Sequence, residues 1–426
     1  MVPLPICTIR IDTNVMNLRK LSPLLSFVVV LAALFVVFRL WTPEETKLQG
    51  RYTVIVSIDG FRAEYFGRAH TPALNAMATE GVRAILTPMY PSNTFPNHYS
   101  MATGLHPQNH GLVNNSFWDE DLQDYYKLGD IERVHNPDFY WGEPIWNTAE
   151  KQGIKAGSYY WVGSETAIQG MHPSYWKVFD GNDSFVARAD SVLAWLRKPE
   201  EERPRLITWY LQEPDAAAHH HGTQSQETLD MIAHVDSVIG YFRSELGKLP
   251  IANLVDFIVV SDHGMADLDP DKVVNLMDYL PRDSFSFVVE GAPTLLYAKS
   301  PEYVDVALEV LKTIPYITAY RTSEVPERFH YNKGGRLGDI VVMPELGASI
   351  FFRDEPRLEK KAGHGFDNQL PEMQGIFFAV GKSFAKGKEV GAVPNITIYP
   401  LLCRLQGLTP APNDASEADV DRLLGR

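Results

Sequence analysis

Three potential metal ligands stand within three residues of the ends of two strongly apolar runs of the sequence. Asp59 follows the β-branched run Tyr52–Ile58, and Asp262 and His263 follow the run Leu254–Val260. Such runs are typical of strands that are buried on both faces of a parallel sheet. Open α/β sheets bind ligands at the carboxyl ends of their strands, so we expect these side chains to meet there. An Asp-His pair by itself is also typical of a buried structural contact.

Three more candidate ligands lie further along the chain. Asp215 and His219 are spaced i, i+4, so one helical turn would place both side chains on the same face. His364 lies between two glycines. Carboxylate oxygens and imidazole nitrogens are common zinc ligands, and the combined set is large enough for two Zn²⁺ ions. Taken singly, Asp215 is also an ordinary helix-start residue and His219 an ordinary surface histidine.

Thr94 is the candidate nucleophile. The sequence that follows it, as far as Thr103, predicts a helix with Pro96 in its first turn. A helix N-terminus stabilises negative charge, whether on an alkoxide or on a bound phosphate. The same position is typical of a simple N-cap, a role that does not conflict with the chemical one.

Strands alternate with helices through most of the chain. Leu206–Leu211 and Asp339–Met343 read as further buried strands, whereas Ser184–Leu196 and Gln226–Leu246 read as helices. This alternation predicts an α/β fold on a doubly wound, mostly parallel sheet. The length of 426 residues suits one large domain of this kind, which we place at residues 51–426.

Two regions interrupt the alternation. Residues 114–159 are rich in Trp, Tyr, Asp and Asn, and we expect them to form a loop over the site. Residues 267–338 follow the Asp-His pair and carry strand and helix signals of their own, around 286–298 and 303–313. We therefore predict that residues 267–338 form a small inserted α+β lobe.

Composition excludes some classes of partner. Charged residues make up 22% of the chain and the net charge is −14, so the chain offers no basic face for a nucleic-acid backbone. The two cysteines, Cys7 and Cys403, are too few and too far apart for a disulfide framework or a zinc knuckle. We expect no nucleic-acid partner, and the sequence leaves the oligomeric state open.

The N-terminal region has the pattern of a membrane anchor. Residues 21–38 are almost uninterrupted Leu, Val, Phe and Ala, preceded by Arg19 and Lys20. A spanning helix needs about 20 apolar residues, and basic residues before it favour a cytoplasmic N-terminus. We expect residues 1–20 in the cytoplasm, a transmembrane signal anchor over 21–38, a linker over 39–50, and export of the rest to the periplasm or cell surface. A cleaved signal peptide is the competing interpretation.

The order of these motifs resembles the nucleotide pyrophosphatase/phosphodiesterase family of the alkaline phosphatase superfamily, in a bacterial-type membrane-anchored or periplasmic form. The resemblance extends from about Tyr52 to Asn413 and implies an alkaline-phosphatase-like fold. Carried over by residue, the resemblance implies one zinc on Asp215, His219 and His364. It implies a second zinc on Asp59, Asp262 and His263, with Thr94 as a further ligand and as the nucleophile. It also implies Asn115 as a donor to a phosphate oxygen, and a nucleoside site formed by Phe95, Leu128, Tyr175 and Tyr210.

The implied reaction is hydrolysis of the phosphodiester or pyrophosphate bonds of nucleotides at the α-phosphate. A phosphorylated Thr94 would form as an intermediate, and its hydrolysis would release a nucleoside monophosphate. The segment Ala218–Thr223 departs from the family, which usually has Gly before the site histidine. That departure leaves the implied ligands intact and changes only the local loop.

Related reactions differ from this one at single positions. A sulfatase would need a Cys or Ser nucleophile in a Cys/Ser-x-Pro-x-Arg motif, and none stands at Thr94. A phosphomonoesterase would add a Lys or Arg for the dianionic phosphate, and the comparable stretch, Tyr160–Glu165, has no basic residue. This favours diesters over monoesters, while a phosphonate hydrolase stays open.

Two further alternatives stay open. A choline-phosphodiester hydrolase, acting on lysophospholipid or glycerophosphocholine, would need aromatic and acidic side chains around the trimethylammonium group. Trp118, Asp119 and Glu120 could supply them. A non-enzymatic, metal-stabilised binding module would instead hold zinc without hydrolysing any diester. The expected partner is a nucleotide or another small phosphodiester.

Overall fold

The structure, a computed structural model, describes residues 52–426. The predicted cytoplasmic segment, membrane anchor and linker, residues 1–50, lie outside the described residues. Within residues 52–426 no helix combines the length and the apolar character needed to cross a membrane.

Strands recur along the whole described chain. In chain order they are β1 (Tyr52–Ile58), β2 (Val82–Thr87), β3 (Ser116–Asp119), β4 (Asp124–Lys127), β5 (Ala156–Tyr159), β6 (Tyr175–Lys177), β7 (Leu206–Leu211), β8 (Val255–Val260), β9 (Ala266–Asp267), β10 (Val273–Asn275), β11 (Phe285–Val289), β12 (Thr294–Ala298), β13 (Ile317–Arg321), β14 (Ile340–Pro344), β15 (Ser349–Phe351), β16 (Ala362–Gly363), β17 (Gly375–Val380) and β18 (Lys388–Pro394).

Helices separate many of these strands. In chain order the α-helices are α1 (Tyr65–Arg68), α2 (Pro72–Glu80), α3 (Thr94–Thr103), α4 (Pro107–His110), α5 (Ile131–Val134), α6 (Ile145–Lys151), α7 (Phe185–Leu196), α8 (Asp215–His221), α9 (Gln226–Gly247), α10 (Pro301–Leu311), α11 (Ile398–Gln406) and α12 (Glu417–Leu423).

The main sheet has eight strands in the order β18-β2-β17-β8-β1-β7-β5-β6. Neighbouring strands are parallel except at β17, which runs antiparallel to both β2 and β8. The predicted α/β fold with a mostly parallel sheet is therefore confirmed. The three central strands, β8, β1 and β7, all run in the same direction, so their carboxyl ends lie side by side.

Strand β1 illustrates how helices cover the sheet on both faces. All seven of its residues are buried, as its run of β-branched and apolar side chains predicts. Val54 and Val56 share one core with Ile239 of helix α9. Thr53 points to the opposite face, where its hydroxyl accepts a hydrogen bond of 2.7 Å from Gln406 of α11. The doubly wound arrangement follows from this alternation.

A second sheet forms the small lobe. Its four antiparallel strands have the order β11-β12-β14-β13, and helix α10 shares their hydrophobic core. We expected the run Asp339–Met343 to join the parallel strands, and this was wrong, because it forms β14 of the lobe. Both faces of β14 are buried, so its sequence reads like a strand of the main sheet. The lobe sheet consequently extends past residue 338.

The expectation of a loop over residues 114–159 was also wrong. This region contains the hairpin β3–β4, helices α5 and α6, and strand β5 of the main sheet. The ring of Phe117 stacks on that of Tyr126 across the hairpin, with centroids 5.1 Å apart, and both residues are fully buried. The aromatic content that suggested a loop therefore belongs to a packed hairpin.

Candidate active site

Three aspartates reach one edge of the main sheet because they follow its three central strands. Asp59 is the first residue after β1, Asp262 is the second after β8, and Asp215 begins helix α8 four residues after β7. Gly60 lets them approach closely. Its backbone is left-handed, with φ 65°, and an added Cβ would lie 2.9 Å from the Cβ of Asp215. Its N–H also donates to Asp262 Oδ1 at 3.1 Å.

Asp59, Asp262 and His263 form a first group, which we call the inner donor cluster. One potential ligand atom from each lies within 4.8 Å of the others, and all three residues are buried. His263 Nε2 lies 3.1 Å from Asp262 Oδ2 and 3.6 Å from Asp59 Oδ1. His98 adds a second imidazole, with Nδ1 3.3 Å from Asp262 Oδ2.

The pKa values of the two inner carboxyl groups shift in opposite directions. Burial, together with the negative charges of Asp262 and Asp215, raises the pKa of Asp59 well above its usual value. Burial also acts to raise the pKa of Asp262, but His263 and His98 outweigh it and lower that pKa. A bound cation would remove the conflict between the carboxylates, because it favours the charged form of both.

Thr94 lies directly beside the inner donor cluster. It is the first residue of helix α3, and its Oγ1 is 3.2 Å from His263 Nε2. The flanking residue, Asn93, makes no side-chain capping bond, and the Thr94 hydroxyl is directed at the cluster. The prediction of a hydroxyl at a helix start next to metal ligands agrees with this geometry.

Asp215, His219 and His364 form a second group, the outer donor cluster. His219 Nε2 is 3.3 Å from Asp215 Oδ2, and His364 Nε2 is 3.6 Å from Asp215 Oδ1. The i, i+4 spacing in α8 brings the first pair together, and the loop after β16 supplies His364. The ring of His364 stacks on that of His263 with centroids 4.0 Å apart, so the two clusters are neighbours.

The side chains of both clusters fit metal ions. Asp59 Oδ1, Asp262 Oδ2 and Asp215 Oδ1 are buried oxygens without a hydrogen-bond partner, which is costly unless a cation satisfies them. His263 Nδ1 lies 2.8 Å from the carbonyl of Gly264, and His219 Nδ1 lies 2.7 Å from that of Ala362. Such bonds orient the opposite ring nitrogen as a ligand.

Protonation of the outer histidines agrees with a ligand role. Burial and the nearby rings of His263 and His219 lower the pKa of His364 well below its usual value. Burial likewise lowers the pKa of His219. Both imidazoles are therefore neutral at pH 7, which is the form that binds metal.

Asn115 is held in position by the first turn of helix α3. Its Oδ1 accepts a hydrogen bond from the N–H of Phe95 at 3.0 Å. The amide oxygen is thus engaged, and the amide nitrogen remains as the donor end. Asn115 also lines a cavity of about 530 Å³ next to His219 and His364. Its position suits the donor role that the family resemblance implied.

An aromatic pocket of about 290 Å³ is lined by Phe95, the residue that follows Thr94. Phe95, Leu128 and Tyr210, three of the four residues expected around a nucleoside, line it. The Tyr210 hydroxyl donates to Asp59 Oδ2 at 2.6 Å, which joins the pocket wall to the inner donor cluster. Sequence reasoning missed the other side chains of the lining, which are Ile131, Val134, Tyr160, Trp161, Val162, Glu165, Val178 and Phe179.

Tyr175, the fourth expected residue, does not line this pocket. It lies in β6, the edge strand of the main sheet, and its hydroxyl donates to the carbonyl of Glu202 at 2.9 Å. Phe179, four residues later, contributes to the pocket wall, with its ring 6.2 Å from that of Tyr210. Both residues lie in one aromatic stretch of the sequence. Tyr175 is in strand β6, which ends at Lys177, and Phe179 lies beyond that end and reaches the pocket.

The side chains considered for a choline cage lie elsewhere. Trp118 packs against Phe287 of the lobe, with ring centroids 5.5 Å apart. Asp119 accepts a hydrogen bond of 2.6 Å from Arg336 and is buried in that ion pair. Trp118 and Asp119 thus attach the β3–β4 hairpin to the lobe.

One basic side chain near the donor clusters was not predicted. Lys360 Nζ lies 3.3 Å from His219 Nε2. Its stretch, Lys360-Lys361, precedes His364 by only a few residues, which was the available signal. Lys360 lies outside the stretch Tyr160–Glu165, whose lack of a basic residue favoured diesters over monoesters.

Fold and site together define a class: an α/β protein with two potential metal-binding clusters at the carboxyl edge of its central parallel strands. The family model described as type I phosphodiesterase / nucleotide pyrophosphatase matches residues 53–367. The chain belongs to this family, as its motifs indicated.

Individual relatives agree with this membership. Ectonucleotide pyrophosphatase/phosphodiesterase family member 1 of Mus musculus is 34% identical over 400 residues, which cover 90% of this chain and 44% of that protein. Venom phosphodiesterase CdcPDE of Crotalus durissus collilineatus is 34% identical over 384 residues, covering 87% and 46%. The chain thus spans less than half of the length of these curated relatives.

The fold also matches solved structures. Murine ectonucleotide pyrophosphatase / phosphodiesterase 5, as an inactive variant in complex with AMP, has a TM-score of 0.84 and 30% identity, covering 88% of this chain and 99% of that chain. The human protein of the same name has a TM-score of 0.82 at 29% identity. These matches confirm the predicted alkaline-phosphatase-like fold.

Proposed function

We propose that this chain hydrolyses phosphodiester and pyrophosphate bonds of nucleotides at the α-phosphate and releases a nucleoside monophosphate. The observation that carries the proposal is the position of Thr94. Its hydroxyl lies 3.2 Å from His263 Nε2, and the aromatic pocket begins at the next residue. The names of the matched relatives and the AMP bound to the murine protein support the same activity.

Two Zn²⁺ ions are the proposed cofactors. The inner donor cluster would hold one beside Thr94, and the outer donor cluster would hold the other. Bound zinc would supply Lewis-acid charge, which favours the ionised form of a hydroxyl and offsets charge on a phosphate. The donor set of carboxylates and imidazoles, without thiolates, suits such catalytic zinc sites.

Thr94 would act as the nucleophile. Its oxygen forms a bond to the α-phosphorus while the bond to the leaving group breaks, which gives a phosphorylated Thr94. The amide nitrogen of Asn115 would donate to a phosphate oxygen, and the dipole of α3 would add to the stabilisation of its charge. Water then hydrolyses the phosphothreonine and restores the hydroxyl.

The aromatic pocket would hold the nucleoside. Phe95 follows the nucleophile directly, so a base in this pocket lies next to the reacting phosphate. Tyr210 and Phe179 offer further aromatic faces, and Leu128 adds an apolar contact. Stacking tolerates every base, and we therefore expect weak base preference.

Glu165 supports choline-phosphodiester hydrolysis as a second candidate. This carboxylate lines the pocket beside the rings of Tyr160, Trp161 and Phe179. Aromatic faces with a nearby negative charge are suited to a trimethylammonium group. The structure thus offers different side chains for this role from those that the sequence suggested.

Export is part of the proposal. The matched relatives are named ectonucleotide pyrophosphatases, which supports activity outside the cell. Anchoring by residues 21–38, and a periplasmic location in a bacterium, stay predictions, because those residues lie outside the described part of the chain.

The test is a comparison of substrates on zinc-loaded protein. The p-nitrophenyl ester of thymidine monophosphate should be hydrolysed much faster than p-nitrophenyl phosphate, and a chelator should abolish both rates. Faster turnover of glycerophosphocholine than of any nucleotide would favour the choline activity. Zinc binding without hydrolysis of any of these compounds would indicate a binding module and contradict the proposal.

A further inference from the structure

A groove of about 530 Å³ leads away from the outer donor cluster. His219, His364 and Asn115 line its inner end, and Arg353 and Arg357 lie among its other lining residues. The aromatic pocket shares none of these residues. The site therefore has two separate compartments, one beside Phe95 and one beside the outer donor cluster.

Ion pairs balance the two arginines of the groove. Arg353 bonds to Glu290 through two nitrogens, and Arg357 lies 3.2 Å from Glu355. Lys360 differs from them: among residues 52–426 no carboxylate lies within ion-pair distance of its ammonium group. The groove thus has one cation without a direct counter-charge, and that cation is at the inner end.

A contact with His219 positions the ammonium group of Lys360 at the inner end of the groove. His219 Nδ1 bonds to the Ala362 carbonyl, so its Nε2 is the acceptor that faces Lys360 at 3.3 Å. This is also the nitrogen that a metal ion in the outer donor cluster would use. If a metal ion binds this lone pair, Lys360 has no acceptor on His219. Its exposed ammonium group is then free to bind a ligand in the groove, which it lines.

The direction of the reaction assigns the groove to the leaving group. In an in-line displacement, the leaving group departs on the side opposite the attacking oxygen of Thr94. If the nucleoside occupies the pocket beside Phe95, the groove beside the outer donor cluster is the remaining compartment. A pyrophosphate or nucleotide that leaves through it would pass within reach of Lys360.

We propose that Lys360 binds the anionic leaving group and makes this chain selective for phosphoanhydrides over simple phosphodiesters. The inference rests on the proposed function. Thr94 loses its proton to solvent, and its oxygen bonds to the α-phosphorus. The anhydride P–O bond breaks, and its electron pair leaves on the phosphate oxygen. The ammonium group donates to that oxygen, and no proton transfer to the leaving group is needed.

The test uses the zinc-loaded chain with Lys360→Met, and Lys361→Met as a matched control. Lys361 is the adjacent lysine; it is also exposed, and it does not line the groove. We expect Lys360→Met to lower kcat/KM for ATP by about ten- to a hundredfold, the effect of one charge-assisted hydrogen bond. Hydrolysis of the p-nitrophenyl ester of thymidine monophosphate should be unchanged, and Lys360→Arg should restore part of the ATP activity.

A binding measurement separates this role from a structural one. Calorimetry with the α,β-methylene analogue of ATP should record weaker binding to Lys360→Met, whereas binding of AMP and zinc content stay the same. Equal losses on both substrates with reduced zinc would assign Lys360 to the metal site and overturn the inference. Unchanged ATP kinetics would also overturn it. A wild-type chain that hydrolyses neither substrate would instead overturn the proposed function and this inference together.

Discussion

The two donor clusters are built from the same kinds of side chain but differ in their surroundings. In the inner donor cluster, the side chains of Asp262 and His263 are 0% exposed and follow a central strand. In the outer donor cluster, Asp215 is 16% and His219 11% exposed, and they lie on a helix of seven residues. One cluster is enclosed by the sheet and the other opens to a groove.

This difference suits two different tasks. A nucleophile benefits from fixed geometry and a water-poor surrounding, because positioning and electrostatic stabilisation then act without reorganisation. Thr94 lies beside the enclosed cluster. Leaving groups and the hydrolytic water must come and go, which requires an open side. We infer that the inner donor cluster supports attack and that the outer one supports departure and hydrolysis.

Thr94→Ala gives the largest expected effect, because it removes the oxygen that the enclosed cluster positions. Turnover of nucleotide substrates should fall by at least about a thousandfold, as is typical when a covalent nucleophile is deleted. Zinc content and thermal unfolding should stay near those of the wild type. Thr94→Ser keeps the hydroxyl and serves as the control. If Thr94→Ala retained a tenth of the activity, the hydroxyl would be only a helix cap.

Substituting one aspartate in each cluster tests the comparison directly. In metal-free protein, Asp262→Asn should lower the free energy of unfolding by about 1.5–3 kcal/mol more than Asp215→Asn, measured by urea titration. Asp262 is fully buried and its negative charge lies beside His98 and His263, whereas Asp215 is partly exposed. Equal destabilisation by the two substitutions would mean that the clusters do not differ in rigidity.

Phe95→Ala should separate the nucleoside pocket from the metal site. We expect kcat/KM for nucleotides to fall by about ten- to a hundredfold, since each stacked base is worth about 1–3 kcal/mol. Methyl p-nitrophenyl phosphate, which has no base, should lose far less. Tyr175→Ala is the matched control and should leave both substrates unaffected. Equal losses on both substrates in Phe95→Ala would mean that Phe95 shapes the donor clusters.

Tyr210→Phe has the smallest expected effect. It removes the hydrogen bond to Asp59 Oδ2 but keeps the aromatic ring. The loss of one hydrogen bond at a ligand should lower kcat by about two- to tenfold without changing KM for nucleotides. A rise in KM with unchanged kcat would place the hydroxyl in nucleoside binding instead of in support of the inner donor cluster.

Much of the candidate site was predictable because its ligands are tied to local patterns. Asp59 and Asp262 follow runs whose composition identifies buried strands, and Asp215 and His219 have helical spacing. The clusters then form because β8, β1 and β7 are parallel neighbours. The sequence of a single strand does not show which strands lie next to it in the sheet. The family resemblance nevertheless implied the same two groups of ligands.

The errors occurred where the outcome depended on packing between distant segments. The apolar run Asp339–Met343 would suit a buried strand of either sheet. Only its pairing with β12 and β13 places it in the lobe. Tyr175 and Phe179 are equally aromatic, and the end of strand β6 decides which one reaches the pocket. Lys360 is an ordinary lysine in the sequence, and only the folded chain brings its ammonium group next to His219.

The amino-acid sequence by itself determined the types of candidate ligand, the candidate nucleophile at a helix start, the alternation of strands and helices, and through its motifs the family. Each depends on side chains that are close along the chain or on their order. The tertiary structure decided the enclosure of one cluster, the opening of the other and the presence of Lys360 beside it. Burial and contacts between side chains depend on residues that are distant in the chain. Ala362 and His219, for example, lie 143 residues apart and meet only in the folded protein.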